Sequence, residues 1–322
     1  MNTETEQQVR PRVGVSSCLL GQEVRFDGGH KLDKFVRDKL GTYLILSPWC
    51  PELAIGLGMP RKPIRLAGDE LAPRVVGTDN PDLDVTKPLQ DYAEHVAAEA
   101  PDLSGYIFKK GSPSCGMERV KVYRGKGVPT GKGVGQYAAR LMSLRPELPC
   151  EEEGRLNDPA LRESFVERIF VMARWQQLCR DPGLSAARLV DFHTRHKYLA
   201  LSHAEVEYRE LGRMVANAGR ADIETLGSEY IALLMRALKR RATRRRHANV
   251  LHHLLGFLRD RLDSSARAEL VQLIDEYRQE HIPLVVPIRF LRYQFDRHPN
   301  EFVAMQYYLR PYPDALGVRN HL

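Results

Sequence analysis

Residues 12–18 read RVGVSSC, a short apolar run that ends in a cysteine. Its valines and small side chains predict a buried β-strand. The following segments alternate between strand-like and helix-like patterns, with strands at 42–47 (TYLILS) and 105–109 (GYIFK) and helices at 31–40, 84–100 and 134–144. Strands that alternate with helices predict an α/β domain whose sheet is mostly parallel.

Three of the five cysteines follow the ends of these predicted strands: Cys18, Cys50 and Cys115. In an open α/β sheet, ligands bind outside the carboxyl ends of the strands. We therefore expect the three thiols to converge, although they are far apart in the sequence. The odd number of cysteines argues against a disulfide framework, and we interpret the other two, Cys150 and Cys179, as packing residues.

Three converging thiolates would suit a soft metal. An iron–sulfur cluster normally takes four cysteines, so three would leave one iron open to a small ligand, much as a catalytic zinc keeps an open position. A zinc site with His30 as its fourth ligand is also compatible with these residue types. Buried, inert thiols are the third interpretation, and the spacing alone leaves all three open.

Each of the three cysteines lies within a longer motif. The motifs are VSSCLLG at 15–21 with VRFDG at 24–28, then CPE at 50–52 with GL at 56–57 and PR at 60–61, then KGSPSCG at 110–116. In this order they resemble the thiouracil desulfidase family, over about residues 12–145. The resemblance implies a [4Fe-4S] cluster bound by Cys18, Cys50 and Cys115, with the fourth iron taking the sulfur of the substrate.

The resemblance also implies a non-redox desulfuration in which water replaces the sulfur on the ring carbon and sulfide leaves. We expect Glu52, two residues after the second motif cysteine, to be the base that activates this water. Ser112, beside the third, is the candidate for proton transfer or substrate positioning. Glu52 is equally typical of a helix first turn, and Ser112 of a turn; the roles of Arg25 and Asp27 stay open.

From Leu184 onwards the strand signals mostly vanish, and helical patterns cover 185–218, 223–246, 247–262 and 264–280. The sequence therefore predicts an α/β cluster-binding domain at 1–150, a helical connector at 151–183 and an all-helical domain at 184–322.

The helical part carries a resemblance of its own. FHTRHKY at 192–198 and YRELG at 208–212 resemble the helical domain often fused to thiouracil desulfidases, and such fusions resemble bacterial tRNA 4-thiouridine desulfidases. The resemblance implies that this domain helps to hold tRNA. We interpret His196 and His203, which lie on its first predicted helix, as core or surface residues.

Positive charge is concentrated in the helical part. The net charge is +7, and from Leu184 onwards there are 22 Lys and Arg against 16 Asp and Glu. A basic run contains Arg236, Lys239, Arg240, Arg241, Arg244, Arg245 and Arg246. The i, i+4 spacing of Arg236, Arg240 and Arg244 predicts one helix face. We expect the residues from Lys239 to Arg246 in this run to bind the RNA backbone; a solvated helix face is the alternative.

Several classes of protein are disfavoured. The glycine-rich stretch 125–135 lacks the spacing of a Walker A or Rossmann phosphate loop, so we expect a flexible loop and no nucleotide cofactor. No apolar run approaches the length of a membrane span, and the polar N-terminus lacks a secretory core. We expect a cytoplasmic protein without a membrane partner.

Together with the basic helical part, the resemblance thus implies an iron–sulfur enzyme that converts 4-thiouridine in tRNA to uridine and releases sulfide. Free thiouracil is the alternative substrate, because it contains the same thiocarbonyl. A non-catalytic RNA-binding iron–sulfur sensor would use the same cysteines and the same basic run. A zinc-dependent hydrolase is the third alternative.

Overall fold

The computed structural model describes residues 9–124, 128–180 and 182–321. The chain divides into two compact units, Met1–Asp158 and Pro159–Leu322. The three-part division that the sequence suggests, with boundaries at 150 and 183, stays a prediction.

Within its described residues, the first unit contains the strands β1 Arg12–Ser16, β2 Ile45–Trp49, β3 Ile64–Gly68, β4 Pro73–Gly77, β5 Leu103–Phe108, β6 Val120–Tyr123, β7 Pro129–Gly133 and β8 Cys150–Glu152. Four of them form a parallel sheet in the order β2-β1-β5-β8. The predicted α/β fold with a mostly parallel sheet is confirmed. The central strand β1 is buried, and its Val13 and Val15 are fully covered, as expected where helices flank both faces.

The other four strands form a second, mixed sheet in the order β4-β3-β6-β7. Only β3 and β6 pair in parallel there, and the outer pairs are antiparallel. The expectation of a flexible loop at 125–135 was wrong for its second half, because β7 pairs with β6. Residues 125–127, which include Lys126, lie outside the described residues.

The helices of the first unit are α1 Pro51–Ala54, α2 Thr86–Glu99 and α3 Gln136–Leu144, with 3-10 turns at Ser17–Leu20 and Arg155–Asn157. The predicted helix at 31–40 is shorter than expected, since only Phe35–Leu40 is helical, with π-type hydrogen bonding. Leu89, Val96 and Leu141, on α2 and α3, are buried in the same core as Tyr106 of the parallel sheet.

The second unit is helical, as predicted, and none of its described residues lies in a strand. Its helices are α4 Pro159–Arg180, α5 Ala186–His203, α6 Glu205–Ala216, α7 Ile223–Lys239, α8 Arg244–Gly256, α9 Ser264–Arg278, α10 Val285–Arg297 and α11 Glu301–Ala304. A 3-10 turn follows at Asp314–Leu316. Across the described ranges of the chain, no helix combines the length and the apolar character that crossing a bilayer would require.

Two long helices predicted in this unit are each broken. The helix expected at 185–218 is interrupted at Ala204, whose backbone is extended with φ −155° and ψ 101°. The helix expected at 223–246 ends at Lys239, and a new helix begins at Arg244 after the N-cap Thr243. The Thr243 hydroxyl accepts a hydrogen bond from the Arg246 amide, which stabilises this new start.

The packing of β1 generates a stability prediction. A Cβ added to Gly14 would lie 2.4 Å from Cδ2 of the buried Tyr106. We expect Gly14→Ala to lower the free energy of unfolding by about 1–3 kcal/mol, because the ring has no room to retreat. The measurement is urea unfolding followed by circular dichroism.

The matched control is Gly29→Ala in the same unit. An added Cβ there meets only the Asp27 side chain, at an ordinary contact distance of 3.4 Å. Its free energy of unfolding should stay within about 0.5 kcal/mol of wild type. Equal stability of the two variants would contradict the close packing of β1 on Tyr106.

Candidate functional site

The ends of three neighbouring strands meet at one edge of the parallel sheet. Cys18 lies in the 3-10 turn directly after β1, and Cys50 is the N-cap of α1 directly after β2. Cys115 follows in the loop after β5. Because β2, β1 and β5 are adjacent and parallel, all three thiols line a single cavity of about 370 Å³.

The three thiols are largely shielded from solvent. Cys18 is 8% exposed and Cys115 6%. Burial raises the pKa of Cys18 to about 11, and burial also raises the pKa of Cys50 and, more strongly, that of Cys115. Thiols in such surroundings become thiolates when a metal replaces their protons, so the donor set fits a soft metal centre.

A site for a single zinc ion needs closely grouped ligands. Around one tetrahedral zinc, thiolate ligands lie about 3.8 Å from one another. In the part of the chain that the structure describes, no three His, Cys, Asp or Glu side chains are close enough to share one metal ion. The Nδ1 atom of His30 instead accepts a hydrogen bond of 3.2 Å from the Leu32 amide.

Glu52 lies in the first turn of α1 and lines the same cavity as the thiols. Its Oε2 atom accepts hydrogen bonds from Nε and Nη2 of Arg61, at 3.0 and 2.6 Å. Its Oε1 atom accepts one from the Ser114 hydroxyl at 3.0 Å. The carboxylate is therefore fixed in orientation, and the ion pair is mostly buried, with side-chain exposures of 15% for Glu52 and 6% for Arg61.

Arg61 also binds two backbone carbonyls. Its Nη1 atom donates to Val24 O and to Gly58 O, both at 3.0 Å. One guanidinium thus joins the loop after Cys18 to the segment that carries Glu52. In the sequence Arg61 was only part of the PR motif, and nothing indicated that it contacts the glutamate.

Two serines near Cys115 have different partners. The Ser112 hydroxyl accepts hydrogen bonds from the amides of Ser114 and Cys115, at 3.2 and 3.1 Å. It therefore shapes the turn that presents the thiol, and it also lines the cavity. Ser114, which the sequence analysis did not select, is fully buried and donates to Glu52. The motif KGSPSCG contains both serines, and only the folded turn distinguishes them.

Arg25 and Asp27, whose roles the sequence left open, pair with each other. The distance from Arg25 Nε to Asp27 Oδ1 is 3.4 Å. The Gly29 amide donates to the same carboxylate at 3.1 Å, and this hydrogen bond lowers the pKa of Asp27. Arg25 also lines the cavity, and its guanidinium lies 5.3 Å from the centre of the Phe26 ring.

The predicted RNA-binding residues lie in the helical unit, around the break between α7 and α8. The predicted single face of Arg236, Arg240 and Arg244 was wrong, because α7 ends before Arg240 and α8 begins at Arg244. Arg240 pairs with Glu207 at 2.8 Å.

Two further arginines of the run support the fold through backbone carbonyls. Arg244 Nη1 donates to Tyr277 O at 2.9 Å, and Arg246 Nη1 donates to His203 O at 2.6 Å. The remaining members of the predicted RNA-binding set are exposed: Lys239, Arg241 and Arg245.

Two of the three histidines of α5, His196 and His203, are core residues. His196 is buried, bonds Phe192 O through Nδ1 at 2.7 Å and stacks on the Phe192 ring. His203 is buried, and its Nε2 atom lies 2.9 Å from a carboxylate oxygen of Glu167. Burial opposes the charged form, but the Glu167 carboxylate raises the pKa of His203.

Comparison with known proteins identifies two families along the chain. A family described as 2-thiouracil desulfurase matches residues 13–153. A second, described as a protein of unknown function (DUF1722), matches residues 197–313. One match lies in each of the two compact units.

Individual relatives each match about half of the chain. The chain is 31% identical to the uncharacterized protein YbgA of Escherichia coli (strain K12), over 49% of this chain and 94% of that protein. It is 34% identical to the uncharacterized protein YbbK of Bacillus subtilis (strain 168), over 45% of this chain and 97% of that protein. The solved structure of TudS, a [4Fe-4S]-dependent thiouracil desulfidase, shares 34% identity over 48% of this chain and 99% of its own, with a TM-score of 0.39.

The Arg61 contacts generate a prediction for the stability of the first unit. Arg61→Met would remove the partner of a mostly buried carboxylate and two bonds to carbonyls. We expect the free energy of unfolding to fall by about 2–4 kcal/mol. The neighbouring Lys62→Met is the control, because Lys62 is 81% exposed; its effect should stay below about 0.5 kcal/mol. Equal urea midpoints for the two variants would show that Arg61 does not hold this edge together.

Proposed function

The chain belongs to the 2-thiouracil desulfurase family, joined to a DUF1722 domain, and from this premise we propose that it desulfurates 4-thiouridine in tRNA. The products are uridine in tRNA and sulfide, without net oxidation or reduction. The observation that carries the proposal is the convergence of Cys18, Cys50, Cys115 and Glu52 on one cavity.

The three cysteines would hold a [4Fe-4S] cluster, the cofactor on which the related desulfidase TudS depends. The burial of Cys18 and Cys115 and the room in the cavity support this assignment. When bound, a cluster with three protein ligands supplies an open iron as a Lewis acid for the exocyclic sulfur. Cys150 and Cys179 do not line this cavity, so we leave them out of the ligand set.

Glu52 is the proposed base. A carboxylate offers about four acceptor positions, and three are filled here, two by Arg61 and one by Ser114. The free position on Oε1 would accept a proton from the attacking water. Arg61 and Ser114 fix the direction in which this position faces, so we assign them a positioning role.

The Ser112 hydroxyl can still donate one hydrogen bond to the substrate. Its oxygen already accepts hydrogen bonds from two backbone amides. The hydroxyl proton remains available for a hydrogen bond that Ser112 donates. We propose that this hydroxyl donates to the thiouracil ring or to the leaving sulfur, as the sequence analysis expected.

The helical unit favours tRNA over a free base as the substrate. Lys239, Arg241 and Arg245 are exposed cations, which a small uncharged ring does not need. A thiouridine within tRNA would have to be exposed or flipped to reach the cavity. The cavity volume of about 370 Å³ would also accept free thiouracil, which is the second candidate. The tRNA substrate implies a cytoplasmic location.

The decisive assay uses anaerobically reconstituted protein and bulk tRNA that contains 4-thiouridine. We expect loss of the near-ultraviolet absorbance of the thiouridine with wild type and none with Cys18→Ser. Cys179→Ser is the control, since this thiol is exposed and lies in the other unit; it should retain full activity and the same iron and sulfide content. If the protein consumed free thiouracil but not the thiouridine in tRNA, the free base would be its substrate. No turnover of either would favour an RNA-binding sensor.

A second experiment tests the base. Glu52→Gln keeps the shape and the hydrogen bond from Ser114 but cannot take a proton at physiological pH. We expect turnover to fall by at least about 100-fold, while iron and sulfide content and the visible absorption stay as in wild type. Full activity in this variant would remove Glu52 from the mechanism, and loss of the cluster would show a structural role instead.

A third experiment tests the RNA contact. Replacing Lys239, Arg241 and Arg245 by Gln should weaken tRNA binding and reduce the salt slope of log K by about 2–3, because each lost phosphate contact removes about 0.7–0.9. Desulfuration of free thiouracil should be unchanged. Replacing the exposed Arg213, Arg220 and Arg259 removes the same charge elsewhere in the unit. If this control weakened tRNA binding equally, no specific patch would exist.

A further inference from the structure

A second cavity lies within the helical unit. Its volume is about 100 Å³, roughly the share of three water molecules in the liquid. Six basic or imidazole side chains line it: His203, Arg241, Arg244, His247, Arg319 and His321. Among the described residues that line the cavity, Glu163 is the one acid.

The buried charges deep in this cavity balance each other. Arg319 Nε donates to Glu163 Oε1 at 2.8 Å, and its Nη2 atom lies 3.3 Å from Glu167 Oε2. The other oxygen of Glu167 contacts His203. These groups form a closed network, which leaves them little capacity to bind an anion.

The unbalanced positive charge of this cavity comes from the segment that leads into α8. Arg241 is exposed, and no acidic side chain of the described chain pairs with it. Arg244 has one acidic neighbour, Glu280 at 3.3 Å, and that side chain is 75% exposed, so the pair is screened by water. The guanidinium of Arg244 is held in place by Tyr277 O and lies 5.0 Å from the centre of the Tyr277 ring.

The first turn of α8 adds to this excess. It carries Arg244, Arg245 and Arg246 and no acid. The N-terminus of a helix carries partial positive charge and favours acidic side chains, so three arginines there oppose helix stability. The first amides of a helix lack partners within it, and of these the Arg246 amide is already capped by the Thr243 hydroxyl. This arrangement becomes favourable when an anion binds at the same place.

We propose that this cavity is a binding site for one phosphate group, held by Arg241 and Arg244. Its volume admits a single tetrahedral oxyanion. The phosphate group belongs to an RNA backbone that docks on the helical unit or to free inorganic phosphate. The inference does not depend on the desulfuration chemistry of the first unit.

The test uses the full chain and inorganic phosphate. Calorimetric titration at constant ionic strength, with chloride as the balancing anion, should show saturable binding by the wild type. Arg241→Gln should weaken it by at least about tenfold, because a charge-assisted hydrogen bond is lost. Since Arg241 is exposed, this variant keeps the fold, which circular dichroism verifies.

The matched control is Arg236→Gln. Arg236 is also exposed and lies on α7, but it does not line the cavity. Its phosphate affinity should equal that of wild type. An absence of saturable binding in the wild type would overturn the proposal, as would an equal loss in both variants, which would reveal only diffuse electrostatic attraction.

A competition experiment then separates the two sources. Inorganic phosphate is added at constant ionic strength to wild type bound to fluorescent tRNA. Displacement that is absent in Arg241→Gln would identify an RNA backbone phosphate as the occupant. Saturable phosphate binding without displacement would identify free phosphate. Both results support the site, and they distinguish how it is used.

Discussion

Parallel pairing of β1 with β2 and β5 is the constraint on which the site depends. It brings the ends of three distant segments to one edge of the sheet, and each segment then turns to present a thiol. The same edge starts α1, whose first turn holds Glu52. Arg61 and Ser114 then fix the carboxylate beside the thiols. Sheet topology therefore places the three thiols, and side-chain hydrogen bonds orient the Glu52 carboxylate.

The helical unit uses its arginines in two ways. Arg240, Arg244 and Arg246 bind a carboxylate or backbone carbonyls and hold helices together. Lys239, Arg241 and Arg245 face solvent. A run that looks uniform in sequence is thus divided by the fold into charges that bind groups within the protein and charges that face solvent. The division follows from the helix break, because a continuous helix would have put different members of the run on one face.

The convergence of the thiols could be predicted from sequence, because strand ends are readable from apolar runs and parallel sheets align those ends. The second sheet could not, since β7 reads PTGKG and carries no strand pattern. The contact of Arg61 with Glu52 and the choice between Ser112 and Ser114 depend on turn geometry that residue types do not encode. No Gly or Pro marks the break at Ala204. The sequence pattern therefore predicted a continuous helix through this position.

The sheet topology also dictates an order of events during biosynthesis. Arg12 at the start of β1 bonds Asp102, just before β5, across 90 positions of the chain. Strand pairing over such a separation is slow, because a large loop must close, at a cost in entropy, before the stabilising contacts form. A nascent chain therefore exposes two thiols long before the third joins them. The three thiols converge only on tertiary folding, so iron delivered earlier would meet an incomplete set of the proposed ligands.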